Sequence, residues 1–369
     1  MQQKKVLFLT LSTFSLTGGI EKFNRAFIKA LGDLRATLHL RSSVASMYDD
    51  AADQSYSGDQ PFYGSNGNRI RFVYSAFVKA LRQDVIILGH LNLALIGVLL
   101  KFFSPKKKLV VVCHGIEVFT PVSGLKKRVL QQADRILAVS TYTKNQLIEQ
   151  QQIPADKITV FPNTIDPFFQ LPGAFSKPVY LQQRYGIAED EKVIFTLTRL
   201  NSREGYKGYD TLISVLPKLV QQGVRFKYIL AGKADAVELK RMQALIKMLQ
   251  LEAHVVLPGF IVDEEVIDHY LLADVFAMPS KGEGFGIVYI EAMAWGLAVI
   301  AGNKDGSTEA LQFGQLGTLV DPDNAEEVGD ALVRVLQEEP QPAKVQREML
   351  EFFSFEQFKN RLQQVFIEV

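Results

Sequence analysis

The sequence predicts an α/β protein made of two tandem parallel-sheet domains. Short apolar runs of strand length alternate with stretches of helical periodicity along the whole chain, the mark of repeated βα units. A proline-bearing stretch, "NTIDPFFQLPGAFSKP", interrupts that alternation, which then restarts. The length, 369 residues, suits two domains better than one.

In the first half, strands are expected at "KVLFLTLS", "TLHLRSS", "DVIILGH", "KLVVVCHG", "RILAVS" and "KITVFPN". Helices are expected between them, at "GIEKFNRAFIKAL", "YSAFVKALRQ", "LALIGVLLKFF", "LKKRVLQQA" and "TKNQLIEQQ". Asp49 to Asn68 is polar and rich in Gly, Ser and Asp, and reads as a long mobile loop. After the linker the strands are "KVIFTLTRL", "FKYILAGK", "HVVLPGF", "VFAMPS", "AVIAGN" and "GTLVD". Long helices include "GYDTLISVLPKLVQQ", "DAVELKRMQALIKMLQ" and "NAEEVGDALVRVLQEE". In the closing "SFEQFKNRLQQVFIEV", Phe355, Phe358, Leu362, Val365 and Phe366 recur at helical spacing. The expected domains are 1–166 and 167–353, with the helix 354–369 returning to the first. Tandem domains of this kind enclose a deep cleft, where ligands usually bind.

Composition narrows the class. The single cysteine, Cys113, excludes an internal disulfide and lies in an apolar run, as a buried structural thiol would. "MQQKKVLFLTLSTF" lacks a small-residue cleavage site, so no secretory leader is expected. "LNLALIGVLLKFF" is shorter than the roughly 20 residues a bilayer needs. A cytoplasmic protein is expected. Residues 1–166 carry 21 Lys and Arg against 12 Asp and Glu, whereas residues 167–369 carry 20 against 28. Either the first half meets an anionic partner, or the two halves attract each other.

Four constellations can carry chemistry. In "SLTGGIEKFNRAF", Gly18 and Gly19 make the turn before an amphipathic helix, where a backbone can approach an anion. The third glycine of a dinucleotide fingerprint is missing. In "CHGIE", His114 ends a strand, either facing a ligand or simply closing the strand. His90 has a similar place, and His39, His254 and His269 read as structural. In "TRLNSREGYKGYDTLI", Arg199 and Lys207 can converge on a phosphate, though either alone would be an ordinary surface charge. In "KGEGFGIVYIEAMAWG", Glu283 precedes the glycines and Glu291 stands inside an apolar helix. A buried, unpaired carboxylate would cost several kcal/mol. Glu291 therefore either accepts from vicinal hydroxyls or pairs with a buried cation. No cluster has metal-ligand spacing; "DPD" at Asp321 to Asp323 reads as a turn before a helix capped by Asn324.

E-G-F-G-I-V-Y-I-E resembles the E-x(7)-E motif of the retaining glycosyltransferases of family 4, which have the GT-B fold. "GGIEKF", "HGIE", "AVSTYTKNQL", "PNTID", "ILAGK", "LPGF" and "EAMAWGLAVIAGNKDGSTEAL" extend the likeness, in order, over nearly the whole chain. The resemblance implies two Rossmann-like domains with parallel sheets facing across a deep cleft. The first would bind acceptor, the second a nucleotide sugar. Gly18 and Gly19 would lie beneath the donor diphosphate and His114 beside the transferred sugar. Arg199 and Lys207 would hold the diphosphate. Glu283 would contact sugar hydroxyls near the amides of Phe285, Gly286 and Ile287, and Glu291 would bind the ribose. Two positions depart from the family pattern: Ala298, often proline, and Asp305, often glycine, beside the diphosphate loop.

The implied reaction moves a hexose from a UDP-sugar or GDP-mannose to a glycan or lipid-linked hydroxyl, by a front-face route without metal or cofactor. Such an enzyme would serve polysaccharide or glycolipid synthesis. A 2-epimerase of the same fold and a non-catalytic nucleotide-sugar binder are the alternatives. The expected partners are donor, acceptor and an anionic membrane surface at the inner face of the cell membrane, with no nucleic acid. The basic segments "RIRFVYSAFVKALRQ", "KFFSPKKK" and "GLKKRVLQQ" mix cations with apolar side chains suited to that surface.

Overall fold

A computed structural model describes residues 3–172 and 174–368; Val369, the last residue of the expected closing helix, lies outside them. The chain divides into two compact units, one of Met1–Phe169 with Phe353–Val369, the other of Gln170–Phe352.

The first unit is built on seven parallel strands: β1 (Lys4–Thr10), β2 (Leu40–Ser46), β3 (Phe62–Gly64), β4 (Val85–Leu88), β5 (Lys108–Cys113), β6 (Arg135–Ala138) and β7 (Ile158–Val160). Their spatial order is β3-β2-β1-β4-β5-β6-β7, so the winding reverses between β1 and β4. Helices cover both faces of such a sheet, which is why its strands read as unbroken apolar runs. Val6, Leu7, Phe8 and Leu9 are all buried, as are Leu109 to Cys113. β2 begins three residues later than "TLHLRSS" suggests, because His39 takes a left-handed conformation (φ 49°) that ends the preceding turn.

The segment Asp49–Asn68 is not a featureless loop. It holds a short helix, Gln54–Ser57, capped by Asp53, and β3, which pairs in parallel with β2 through Val44 and Phe62. Four of its polar residues, Asp49, Ser57, Gln60 and Ser65, are buried. Gln60 accepts from Ser42 Oγ at 2.7 Å and donates to the carbonyls of Ile28 and Ser57. Composition alone counts such residues as solvent-facing, and so misses the element.

The helix Phe355–Glu368 belongs to this unit. Phe358 packs against Phe161, Phe23 and Phe27, with ring centroids 4.7, 5.6 and 6.3 Å away. Phe358, Leu362, Val365 and Phe366 are buried and Phe355 is half-buried, so the apolar stripe finds its partner on the helix Gly19–Asp33.

The second unit has six parallel strands: β8 (Lys192–Leu197), β9 (Phe226–Ala231), β10 (Val255–Gly259), β11 (Val275–Met278), β12 (Ala298–Gly302) and β13 (Thr318–Val320). Their order is β10-β9-β8-β11-β12-β13, the doubly wound arrangement of a dinucleotide-binding half-and-half sheet. Winding reverses between β8 and β11. Open sheets of this kind bind ligands outside the carboxyl ends of the strands at the reversal. Asn324 caps the helix Ala325–Gln337 by accepting from the Glu327 amide at 3.2 Å, so "DPD" is a turn.

Candidate functional site

In the second unit, the loops after β8 and β11 lie at the winding reversal, and they carry the charged residues. Gly208 (φ 80°) is the reason they can touch: a Cβ there would stand 2.0 Å from the Pro279 carbonyl. Tyr206 ties the loops together. Its carbonyl accepts from the Lys281 amide at 2.9 Å and from Ser280 Oγ at 3.1 Å.

This contact brings Lys207 and Glu283 into a close ion pair, with side chains only 11% and 15% exposed. Burial pulls the Lys207 ammonium toward the neutral form, but Glu283, Tyr206 and Glu204 outweigh it and raise its pKa above the ordinary lysine value. Lys207 is therefore charged at neutral pH. Arg199, two residues beyond β8, holds Glu204 at 3.1 Å and keeps a largely exposed side chain.

Glu283 leads into Gly286, which is left-handed (φ 82°) and opens the helix Ile287–Ala294. A Cβ on Gly286 would press into the Tyr289 ring at 2.3 Å. The first amides of a helix have no carbonyl four residues back, so they can donate outward. Phe285 and Ile287 are buried. Glu291 does not sit in the core. Val288, Glu291 and Trp295 are the half-buried positions of this stretch, and they share one helix face at spacings of three and four. The helix is apolar in sequence, but this stripe stays partly open. The Tyr270 hydroxyl donates to Glu291 at 3.3 Å.

Sequence reasoning gave Asp305 no role beyond departing from a glycine pattern. It follows β12, is buried, and accepts from the amides of Glu283 at 2.7 Å and Ser307 at 2.9 Å. Burial raises its pKa to about 6 against the pull of those hydrogen bonds. No motif flags such a residue; in sequence it is one polar side chain among several, between Asn303, Lys304 and Gly306.

In the first unit, Gly18 is extended (φ −170°) and precedes the helix Gly19–Asp33. The turn is made earlier, by Leu11 to Ser15, and it is held by a residue the sequence reading had placed in a mobile loop. The buried Asp49 accepts from the amides of Thr13, Phe14 and Ser15 at 2.8, 3.0 and 2.8 Å, and from Ser46 Oγ at 2.6 Å. His114 follows β5, and its Nε2 lies 2.8 Å from the Gly89 carbonyl. A carbonyl only accepts, so Nε2 carries the proton and Nδ1 keeps its lone pair. Burial lowers the His114 pKa to about 4, partly offset by the Gly89 bond, and the ring is neutral at pH 7. It meets the edge of Phe23 at 5.1 Å, which places it on the helix that Gly18 and Gly19 introduce. His90 lies 6.0 Å from His114 and is also lowered to about 4, by burial and then by its neighbour. His254 stacks on Phe226, and His269 is buried between the Glu265 carbonyl and Tyr185.

Among the described residues no group of three His, Cys, Asp or Glu side chains is placed to hold a metal ion, and no helix is long and apolar enough to cross a membrane.

Comparison with known proteins gives a consistent family. Residues 17–168 match the model described as Glycosyltransferase Family 4, and residues 181–350 match Glycosyl transferases group 1. The GDP-mannose-dependent alpha-(1-6)-phosphatidylinositol monomannoside mannosyltransferase of Mycobacterium tuberculosis is 32% identical over 60% of this chain and 59% of its own length. Its Mycolicibacterium smegmatis counterpart is 32% identical over 65% and 63%. The match thus spans roughly three fifths of those relatives. Among solved structures, Anabaena Alr3699/HepE with UDP and glucose superposes with a TM-score of 0.77 at 22% identity, covering 99% of this chain and all of that one, 100%. At that identity the likeness speaks for the fold, which is GT-B.

Proposed function

The chain belongs to the family 4, group 1 glycosyltransferases, and we propose that it moves a hexose from a nucleotide-diphosphate sugar to a hydroxyl of a glycan or lipid-linked acceptor, retaining the anomeric configuration and using no metal ion. The observation that carries this reading is the Lys207–Glu283 ion pair at the winding reversal of the second sheet. It joins a lysine held in its charged form to a carboxylate that can accept from sugar hydroxyls.

The chemistry follows from where charge develops. The bond from the anomeric carbon to the diphosphate breaks, and a bond to the acceptor oxygen forms on the same face through an oxocarbenium-like state. The acceptor proton passes to the departing phosphate oxygen. Negative charge grows on the leaving diphosphate, and Lys207, Arg199 and the amides of Phe285, Gly286 and Ile287 at the opening of the helix would stabilise it. Preorganised donors of this kind each contribute about 2.7–4 kcal/mol of barrier lowering. Glu291, on its half-open helix face, would accept from the ribose hydroxyls. In the first unit, Gly18 and Gly19 would lie under the diphosphate. The neutral His114 would meet the transferred sugar.

The names of the mycobacterial relatives favour GDP-mannose among donors and a lipid-linked acceptor. A membrane acceptor fits the surface of the first unit, where Ile70, Tyr74, Phe102 and Phe103 are exposed near Arg71, Lys106 and Lys107. We propose that this surface attaches reversibly to anionic membranes at the inner face of the cell membrane. Flotation with anionic liposomes should be strong at low salt and lost at high salt; equal absence at both would refute the attachment.

A donor panel tests the activity directly. Nucleotide diphosphate should be released from one donor class, faster with acceptor present, and the rate should persist in excess chelator. Release from none, with no binding of UDP or GDP, would overturn the transferase reading. Loss in chelator restored by a divalent ion would overturn metal independence.

A further inference from the structure

Glu283 is held by both ends of its backbone. Its amide donates to Asp305 Oδ2 at 2.7 Å, and its carbonyl accepts from the Gly306 amide at 2.9 Å. The other oxygen of Asp305 accepts from Ser307 at 2.9 Å. The fit leaves no slack: a Cβ on Gly306 would stand 2.1 Å from the Gly284 carbonyl. A further tie runs from Ser307 Oγ to the Tyr289 hydroxyl at 3.1 Å, and from that hydroxyl to the Met278 carbonyl at 2.8 Å. The loop after β11 is thus latched to the loop after β12, and Asp305 is the centre of the latch.

A carboxylate is an expensive way to make such a latch. Asp305 is 1% exposed; it accepts from the amides of Glu283 and Ser307 and from the Ser307 side chain, with the Glu283 carboxylate nearby opposing its charge. Burial of a carboxylate costs several kcal/mol unless hydrogen bonds offset it. What the charge provides is two strong, directional acceptors, since amide bonds to an ionised oxygen are about twice as strong as neutral ones. An alanine or glycine at 305 would leave the Glu283 amide without this acceptor and the loop free to turn about Gly282 and Gly284. The Glu283 carboxylate would then lose its fixed approach to Lys207.

We propose that Asp305 is a positioning residue of the donor site, acting through Glu283 by fixing its amide so that the carboxylate meets Lys207 and the sugar hydroxyls in one geometry. The inference rests on the donor-site reading above. A residue that merely stabilised the fold would, when removed, reduce the fraction of active molecules and lower kcat alone. A residue that orients Glu283 should also weaken the enzyme's hold on the donor.

The test uses the full chain with Asp305→Ala and Asp305→Asn. Asn keeps the shape and one acceptor oxygen, and it is the variant to use if Ala does not fold. The expected result is a donor KM raised about tenfold and a kcat lowered about tenfold in Ala, an intermediate effect in Asn, and an unchanged acceptor KM. A fall in kcat with donor KM unchanged would overturn the proposal, as would parental values for both. Crystal structures of parent and Asn variant supply a readout independent of turnover. Residues 281–286 should be displaced, with the Lys207–Glu283 contact opened. An undisplaced loop refutes the positioning role even if the parent proves inactive. A parent that neither turns over a donor nor binds UDP or GDP refutes the transferase reading, whatever the loop does.

Discussion

The two sheet edges that carry the candidate residues are built alike and charged differently. Each unit winds from its first strand in both directions, and in each a buried aspartate from a distant loop gathers the amides of the functional loop. Asp49 does so for Thr13 to Ser15, with three amides and a hydroxyl; Asp305 does so for Glu283 and Ser307 with two amides. Beyond that the edges diverge. The first presents two imidazoles that burial keeps neutral. The second presents a lysine that the paired Glu283 helps hold in its charged form. Under the proposed reaction, one edge would meet uncharged sugar and acceptor hydroxyls, the other a diphosphate and the hydroxyls attached to it. A fold can thus duplicate its scaffold and its loop-holding device while assigning opposite electrostatics to the two copies.

The contrast can be broken most sharply through stability. Phe358→Ala removes the ring that packs on Phe23, Phe27 and Phe161. It should destabilise the first unit by about 3–5 kcal/mol. Amide exchange should rise in β1 and in the helix Gly19–Asp33 and stay unchanged in β8 and β11. A uniform rise in both units would mean they do not respond as separate bodies. The electrostatic half of the contrast is tested by Lys207→Ala, which should lower kcat about 100- to 1,000-fold. Glu291→Ala should chiefly raise donor KM, by about 10- to 100-fold for the loss of charged hydrogen bonds worth roughly 1.5–3 kcal/mol. Parental kinetics in both would remove these residues from the donor site.

A finer test is acid titration, because the two edges answer it with opposite signs. His90 and His114 have folded pKa values lowered to about 4 from 6.5. Their contribution to stability is complete above pH 6.5 and is lost as pH falls through about 4, since the unfolded chain takes up the protons first. Asp305 is raised to about 6 from 3.8. Its contribution is complete below pH 3.8 and is lost as pH rises through about 6. Between these limits acidification should weaken the first unit while relieving the second. Exchange rates followed by unit from pH 7 to pH 4 should diverge. His114→Phe should blunt the acid sensitivity of the first unit, and its persistence in that variant would assign the effect to other groups.

Much of this was legible before any coordinates. The parallel strands announced themselves because burial on both faces makes them apolar without interruption, and "EGFGIVYIE" drew attention because carboxylates are rare in such company. Lys207 and Glu283 were both singled out, but nothing in their separate loops says that they touch; that depends on Gly208 letting two backbones meet. The reading of Glu291 as buried was drawn from its apolar neighbours, whereas exposure is set by which face of a helix is covered. Asp49 and the strand Phe62–Gly64 were lost in a polar stretch, because composition records how many polar groups a segment has and not whether they face one another. Asp305 escaped for the same reason: two of its partners are backbone amides, which every sequence has.

The return of the helix Phe355–Glu368 to the first unit has a consequence for how the protein is made. The second unit is one continuous stretch, Gln170–Phe352, and it can close its core as soon as that stretch has left the ribosome. The first unit begins earlier but finishes later. Its phenylalanine cluster on the helix Gly19–Asp33 has no cover from Phe358 until more than three hundred residues after Phe23 have been synthesised. Domains usually mature in the order of their synthesis. Here that order is inverted, and the unit made first must carry an uncovered aromatic patch until the helix Phe355–Glu368 has emerged. It is the interval in which a chaperone that binds exposed rings would find this chain.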